Sequence, residues 1–418
     1  MLMEFSVENF LSIKDRVTLS MVASKDTSHK NNLIKNADKG INILNTAVIY
    51  GANASGKTTV LRAIGFLANF LNSSHEMQIG KKIFIKPFRL DRAYLDKPSS
   101  FEIIFKTDGI KYLYGFSVTK DKVIDEYLYY YPKGRQSIIF ERENTDQYKF
   151  TNDIELQTQI KNKFHSPNKL FLSTASLWDY KLAQIPFEWI NNNLQIIISH
   201  ERLEEITADM MKENEIINKK VKYLIKNVVK DIEDITFTEI ELNKKDNPLL
   251  KYLTDDAKSK LLSTNDNKLL SVNTAHKINN SKELVEFDLA EESDGTRKLF
   301  GILGPWVTVL EQGHTLIVDE LDIRLHPHLT RFLVELFQNP DVNKKNAQLI
   351  FSTHDTNLLD QDLFRRDQIW FTEKKEDNST DLYSLDDFTV RKDAAIEKGY
   401  LQGKYGAIPN MKGDCLWE

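Results

Sequence analysis

Cysteine is almost missing: Cys415 is the single one in 418 residues. That excludes an intramolecular disulfide and any metal site built from several cysteines, and it suits a reducing compartment. No apolar run approaches the roughly 20 residues of a membrane-spanning helix. The opening residues, MLMEFSVENF, alternate and carry acids. Without a basic start and an apolar core they do not make a secretory signal. Positive charge is not in excess either. The formal net charge is −5, so there is no global basic footprint for nucleic acid, although a local basic groove is compatible with that total. Only 10 prolines and 16 glycines are present, which argues against low-complexity segments. These absences point to a soluble cytoplasmic protein with no membrane partner.

What is there is enough apolar material for a sizeable core, at 41% of residues, with 28% charged. The length fits two or three domains, or one large α/β unit with an insertion. Met3, Phe5 and Val7 alternate with polar residues as in a strand. Residues 45–50 (NTAVIY) read as a buried strand, and Val60, Leu61, Ile64, Leu67 and Leu71 then recur at helical spacing. Residues 101–140 are rich in aromatic and β-branched side chains broken by Asp108-Gly109 and Lys120-Asp121, which predicts several antiparallel strands. Residues 201–235 carry Ile217, Val221, Leu224, Val228 and Ile232 as one amphipathic helix, its lysines alternating with acids like a solvated face. Residues 243–282 are polar and predict loops between short helices. Further on, Leu299 to Leu310 form an apolar helical stripe that Pro305 should bend or interrupt. Strands are expected at 315–318 and 348–351, with a helix over 329–337 that has Pro327 in its first turn. Strands alternating with helices at both ends of the chain imply one parallel-type sheet built from distant segments. The expected organisation is residues 1–160 and 285–418 as two parts of one α/β head, with an antiparallel β subdomain, and 161–284 as a mainly helical insertion.

The stretch Gly51-Ala-Asn-Ala-Ser-Gly56-Lys57-Thr58 fits G-x-x-x-x-G-K-[ST]. Its glycines let backbone N–H groups converge on phosphate oxygens at a helix N-terminus; Lys57 reaches the β- and γ-phosphates and Thr58 ligates Mg²⁺. Asn53, Ser55 and Thr59 complete the candidate contacts. The strand Leu316-Ile-Val then delivers Asp319 and Glu320. Such a pair found alone is usually solvated surface charge. Beside a phosphate loop it divides two tasks: Asp319 holds the Mg²⁺, and Glu320 is the general base for the attacking water. His354 ends a second apolar strand in FSTHD, where it can report on a γ-phosphate, and Asp322 lies near enough to join. His326 and His328, with Asp322 as a third ligand, resemble a metal pair, but Pro327 between them favours helix-start residues.

With these elements in order the chain resembles the ABC-type ATPase superfamily, and within it the SMC/RecF-like and OLD-like branch. EFSVENFLSIKD resembles the first strand and its turn, and AVIYGANASGKTTVLRAI the phosphate-loop region. ESDGTRKL resembles a degenerate signature, TLIVDELDIRLHP the second nucleotide motif, and LIFSTHDTNLL the switch-histidine segment. GYLQGKYGAIP resembles the tail of ATPases from bacterial abortive-infection systems. The superfamily's glutamine loop has no assigned position.

The resemblance implies an ABC-type head that binds ATP and Mg²⁺ and forms a head-to-tail dimer or higher oligomer. In it Ser293 and Gly295 serve the γ-phosphate of the partner subunit's nucleotide; for Ser293 the competing reading is a simple helix cap. No long coiled-coil arm is present, and the stretch beyond His354 is too short for a Toprim nuclease. The expectation is an ATP-hydrolysing sensor and scaffold of an anti-phage system controlling a separate nuclease or toxin. The alternative is a RecF-like repair ATPase that clamps DNA.

Overall fold

The computed structural model describes residues 1–178, 180–241, 268–389 and 395–409. Cys415 and much of the polar 243–282 stretch lie outside the described residues. The strands are β1 (Leu2–Glu8), β2 (Val17–Ser20), β3 (Leu33–Asp38), β4 (Ile41–Leu44), β5 (Thr46–Tyr50), β6 (Ser99–Thr107), β7 (Ile110–Val118), β8 (Val123–Tyr130) and β9 (Ser137–Glu143). They continue with β10 (Gln147–Phe150), β11 (Leu194–Ile197), β12 (Ile232–Glu241), β13 (Lys268–Lys277), β14 (Leu284–Asp288), β15 (Thr315–Val318), β16 (Gln348–Ser352), β17 (Ile369–Lys374) and β18 (Thr380–Ser384). Helices are α1 (Lys57–Ser73), α2 (Ile154–Phe164), α3 (Phe171–Leu177), α4 (Lys181–Asn193), α5 (Leu203–Glu213), α6 (Glu215–Val228), α7 (Asp294–Gln312), α8 (Pro327–Gln338) and α9 (Ile396–Leu401). No helix among the described residues is long and apolar enough to cross a membrane.

The chain divides into two compact units. The first, residues 1–199, 309–323 and 327–418, holds two large sheets. One is antiparallel, in the order β10-β9-β8-β7-β6-β1-β2. Its strand β6 alternates buried and half-buried positions, as a sheet covered on one face should. The other runs β11-β15-β16-β5-β17-β18 and is parallel except for β18. Its central strand β5, TAVIY, is buried along its whole length. The two ends of the sequence therefore meet in one sheet, as expected.

Helix α1 contributes Phe66 and Phe70 to an aromatic cluster with Phe10, Phe101 and Phe116; the Phe66–Phe101 and Phe101–Phe116 ring centroids lie 4.9 and 5.3 Å apart. Trp189 of α4 stacks on Phe105 of β6 at 4.1 Å. Gln348, fully buried, joins the sheets: its Oε1 accepts from Leu2 N (2.6 Å), and its Nε2 donates to the Leu2 and Leu44 carbonyls (both 3.0 Å). Buried Glu126 accepts from the Phe171 and Leu172 amides that open α3 and from the Tyr114 hydroxyl. Burial pushes its carboxyl above the usual range, and the nearby Arg142 guanidinium works against that rise.

The second unit comprises His200–Thr308 with Arg324–His326. It starts later and runs further than the 161–284 insertion read from the sequence. Helices α2 to α4 and strand β11 belong to the first unit, because their apolar residues complete its core. Beside its helices the second unit carries an antiparallel sheet, β12, β13 and β14, which the mainly helical expectation did not include. The loops expected over 243–282 thus give way to a strand at Lys268–Lys277. The single helix expected over 201–235 is two, α5 and α6. Asn214 separates them with extended backbone (φ −133°), its side chain accepting from Ile216 and Ile217 N–H; Asn in that role starts a new helix. Ile232 belongs to β12 rather than to the helical stripe.

Helix α7 does not stop at Pro305 but runs through it. Proline cannot donate to the carbonyl four residues back, which is Gly301's. That carbonyl instead accepts from Thr207 Oγ1 of α5 at 2.7 Å. A Cβ at Gly304 would lie 2.4 Å from the same hydroxyl, so glycine is what lets the two helices approach this closely.

A candidate nucleotide site at the parallel sheet

Parallel strands in one sheet deliver their C-terminal ends to one edge, where ligands collect. Here β5 ends in the Gly51–Gly56 loop, β15 in Asp319-Glu320, and β16 in Thr353-His354. The register places Val318 beside Phe351 and Ser352 beside Ile49, so these ends form one row.

The loop takes a conformation that its glycines require. Gly51 and Gly56 have φ of 155° and 123°, and Ala54 has 63°. A Cβ on Gly51 would sit 2.5 Å from Ser55 Oγ and from Thr372; one on Gly56 would collide with Thr380. Helix α1 begins directly after, at Lys57. Lys57 is 5% exposed, and its Nζ donates to the carbonyls of Gly51 (2.8 Å) and Ala52 (3.2 Å). Burial lowers its ammonium from the ordinary lysine value, while Asp319, Glu320 and Asp322 pull it back up. Asn53 and Ala54 are exposed at the crest of the loop, and Thr58 and Thr59 are partly exposed in the first turn of α1.

The acids are held by β16. Ser352 Oγ donates to Asp319 Oδ1 (2.5 Å) and accepts from Glu320 N–H (2.8 Å). Glu320 lies in the left-handed region, φ 49°, unusual for a residue with a side chain. Asp322 accepts the His354 amide through both oxygens (3.2 and 3.3 Å). Burial and then the Lys57 charge lower the His354 imidazole below the usual histidine value, with Asp322, Glu320 and Asp319 opposing. That shift favours the neutral ring, which has one nitrogen to donate and one to accept.

Several supporting residues escaped the sequence reading. Ser55 Oγ is bonded to Thr372 Oγ1 (2.6 Å), and Thr380 Oγ1 donates to the Ser55 carbonyl (2.8 Å). Ser12, in the turn after β1, reaches both Thr380 Oγ1 (2.8 Å) and Thr59 Oγ1 (3.0 Å). Hydroxyls from β17, β18 and an N-terminal turn thus clamp the loop. Only Ser12 had a signal, through its place in the VENFLSIKD turn. The end of β11 lies beside Asp319, whose N–H donates to the Ile197 carbonyl at 2.9 Å. Ile198, Ser199 and His200 follow there, none of them a glutamine.

In the second unit Ser293 opens α7, its Oγ accepting from Thr296 N–H at 3.2 Å. The preceding Glu292 accepts from Thr274 Oγ1 (2.5 Å) and pairs with His276 (2.6 Å), which anchors the turn to β13. Gly295 passes close to the Arg324 carbonyl, which a Cβ there would approach to 3.1 Å. Ser293 is therefore a helix cap, and it is exposed. Pro327 opens α8, with His326 just before it and His328 just inside.

A helix N-terminus, glycines with no room for Cβ, a buried lysine and a carboxylate row fit the phosphates of a nucleotide with a divalent cation. Residues 47–360 match the model of a family described as "AAA domain, putative AbiEii toxin, Type IV TA system". The chain belongs to this AAA family. No curated protein matches the sequence. Among solved structures, the chain is similar to an SMC head bound to the C-winged helix domain of ScpA, with 13% identity, a TM-score of 0.42, and 92% of this chain and 97% of that one covered. It is likewise similar to the SMC head domain from Thermotoga maritima, with 10% identity, a TM-score of 0.42, and coverage of 92% and 98%. The strand order of this AAA protein puts the phosphate loop, the paired acids and the histidine on one sheet edge.

Proposed function

We propose that the protein is an Mg²⁺-dependent ATPase that dimerises head to tail around ATP and acts as the sensor and scaffold of an anti-phage system, controlling a separate toxin or nuclease. The observation that carries the ATPase reading is the row formed by the Gly51–Gly56 loop, Asp319-Glu320 and His354. The loop amides, Lys57 and Thr58 hold the phosphates and, with Asp319, the cation. A bound Mg²⁺ would neutralise charge on the transferring phosphoryl group. Glu320 takes the proton of the attacking water, and His354 donates a hydrogen bond to the γ-phosphate. Ser293, exposed at the start of α7, and the half-buried Gly295 face the nucleotide of the partner subunit. The defence role is supported by the toxin–antitoxin description of the family and by the likeness of the C-terminal segment to abortive-infection ATPases.

One experiment tests the core of this reading. Glu320→Gln should bind ATP, hydrolyse it at least about a hundredfold more slowly, and shift to a dimer in light scattering. Adding Ser293→Arg to that variant should abolish the dimer while ATP still binds. Normal turnover in Glu320→Gln would remove Glu320 as the base, and a dimer that survives Ser293→Arg would remove the signature from the interface.

A further inference from the structure

Beside the nucleotide site, on the same first unit, helix α1 and strand β11 border a groove of about 730 Å³. Its walls come from two regular patterns. Arg62, Phe66 and Asn69 recur on one face of α1, and Leu194 and Ile196 share one face of the strand, with Ile198 just beyond its end. Strand β11 is the terminal strand of its sheet, paired on one side with β15 and on the other with no described strand. An unpaired edge beside a groove of mixed polar and apolar lining is a template for an added strand.

The second feature is Phe84, 88% exposed. Its exposure is not that of a loose loop. The neighbours Ile83 and Ile85 are buried at 3% and 4%. Ile83 N–H donates to the Lys120 carbonyl (2.7 Å), and the Lys86 carbonyl accepts from Leu11 N–H (2.8 Å). The backbone is pinned on either side, so the ring is held outward. It lines both the first groove and a second one of about 400 Å³, floored by Phe70, Met77 and Ile83. An aromatic fixed at the junction of a mixed groove and an apolar one has the form of an interface anchor.

Charge decides what kind of partner fits. The charged residues lining the larger groove are Arg62 and Lys86, with no carboxylate among them. Asn69, Asn72 and Asn191 supply amides that can pair with a peptide backbone. Two cations beside an unpaired strand edge suit a short acidic peptide better than a nucleic-acid backbone, which needs a longer basic track.

We propose that this groove docks an extended segment of a partner protein with alternating apolar and acidic side chains. The segment adds to the free edge of β11, with its apolar residues against Phe66 and Phe84 and its carboxylates toward Arg62 and Lys86. The proposal stands apart from the ATPase reading and does not depend on which protein supplies the segment.

The test uses the full chain as bait for a library of random linear dodecapeptides displayed on phage. The expected result is a consensus of alternating apolar and acidic residues. The best synthetic peptide should lose at least about tenfold in affinity on Phe84→Ser and on the Arg62→Glu, Lys86→Glu double variant, while Lys86→Arg retains binding. These side chains line an open groove, and unchanged thermal melting of each variant would show that it is folded. No enrichment, a basic consensus, or peptide binding indifferent to these substitutions would overturn the proposal. So would a change in the protein's own oligomeric mass on Phe84→Ser, which would mean that a second copy covers the face. Salt-dependent oligonucleotide binding lost in the same variants would assign the groove to nucleic acid and equally overturn it.

Discussion

Ser352→Ala is the substitution that most directly separates the geometry of the acids from their mere presence. The Ser352 hydroxyl is fully buried and makes two bonds, one to the Asp319 carboxylate and one from the Glu320 amide. A hydrogen bond to a charged group contributes about 1.5–3 kcal/mol, and an amide left without an acceptor costs roughly 1 kcal/mol or more. Glu320 is partly accessible, so water can relieve some of the second loss, and the expected destabilisation is about 2–4 kcal/mol. It should appear as a lower midpoint in guanidinium denaturation. The catalytic consequence is larger than the change in packing. Without Ser352 the left-handed turn at Glu320 loses a restraint, and a shift of order 1 Å in a reacting group can slow turnover about a hundredfold. Because Asp319 also loses its donor, the Mg²⁺ concentration for half-maximal phosphate release should rise. Steady-state phosphate release across an Mg²⁺ series reads both. Unchanged stability together with an unchanged Mg²⁺ midpoint would refute the view that Ser352 positions the two acids.

Two further outcomes follow from the same structure. Thr207→Val removes the donor to the Gly301 carbonyl and should cost about 1–3 kcal/mol in chemical denaturation; in the Pro305→Ala background an amide returns at that position, so the cost should shrink, and an undiminished cost would contradict the compensation. His354 should titrate below the ordinary 6.5 because of its burial and the Lys57 charge. The folded state then binds the proton less readily than the unfolded one, so the contribution to stability is full above about pH 6.5 and is lost as pH falls through the folded value. An NMR titration of the His354 ring with a midpoint above 6.5 would overturn that sign.

Much of the site was legible because its chemistry is local. A phosphate loop needs its glycines, lysine and threonine within a few residues, and Asp319-Glu320 needs only an apolar strand before it. The same locality made β1, β5, α1 and the antiparallel run β6 to β9 readable from periodicity. Pro305 does not interrupt helix α7, the stronger of its two expected effects, because the carbonyl it frees finds another donor in Thr207. The stripe over 201–235 was read as one helix because apolar spacing does not register a capping Asn214. Strands β13, β17 and β18 left no comparable signal: β13 and β18 mix polar and apolar residues, and β17 is a short apolar run whose parallel partner β5 is remote in the chain.

The sequence by itself therefore determined which groups are the candidates for a phosphate and a cation, since such groups act through short-range backbone geometry. Only the tertiary structure decided how they are held: Ser352 beneath the two acids, Thr380 and Ser12 against the phosphate loop, Thr207 answering the carbonyl that Pro305 leaves open. Each of these is a hydroxyl whose partner is remote in sequence. A serine or threonine carries no periodic signature of its own, and its bond exists only once packing brings the two segments together.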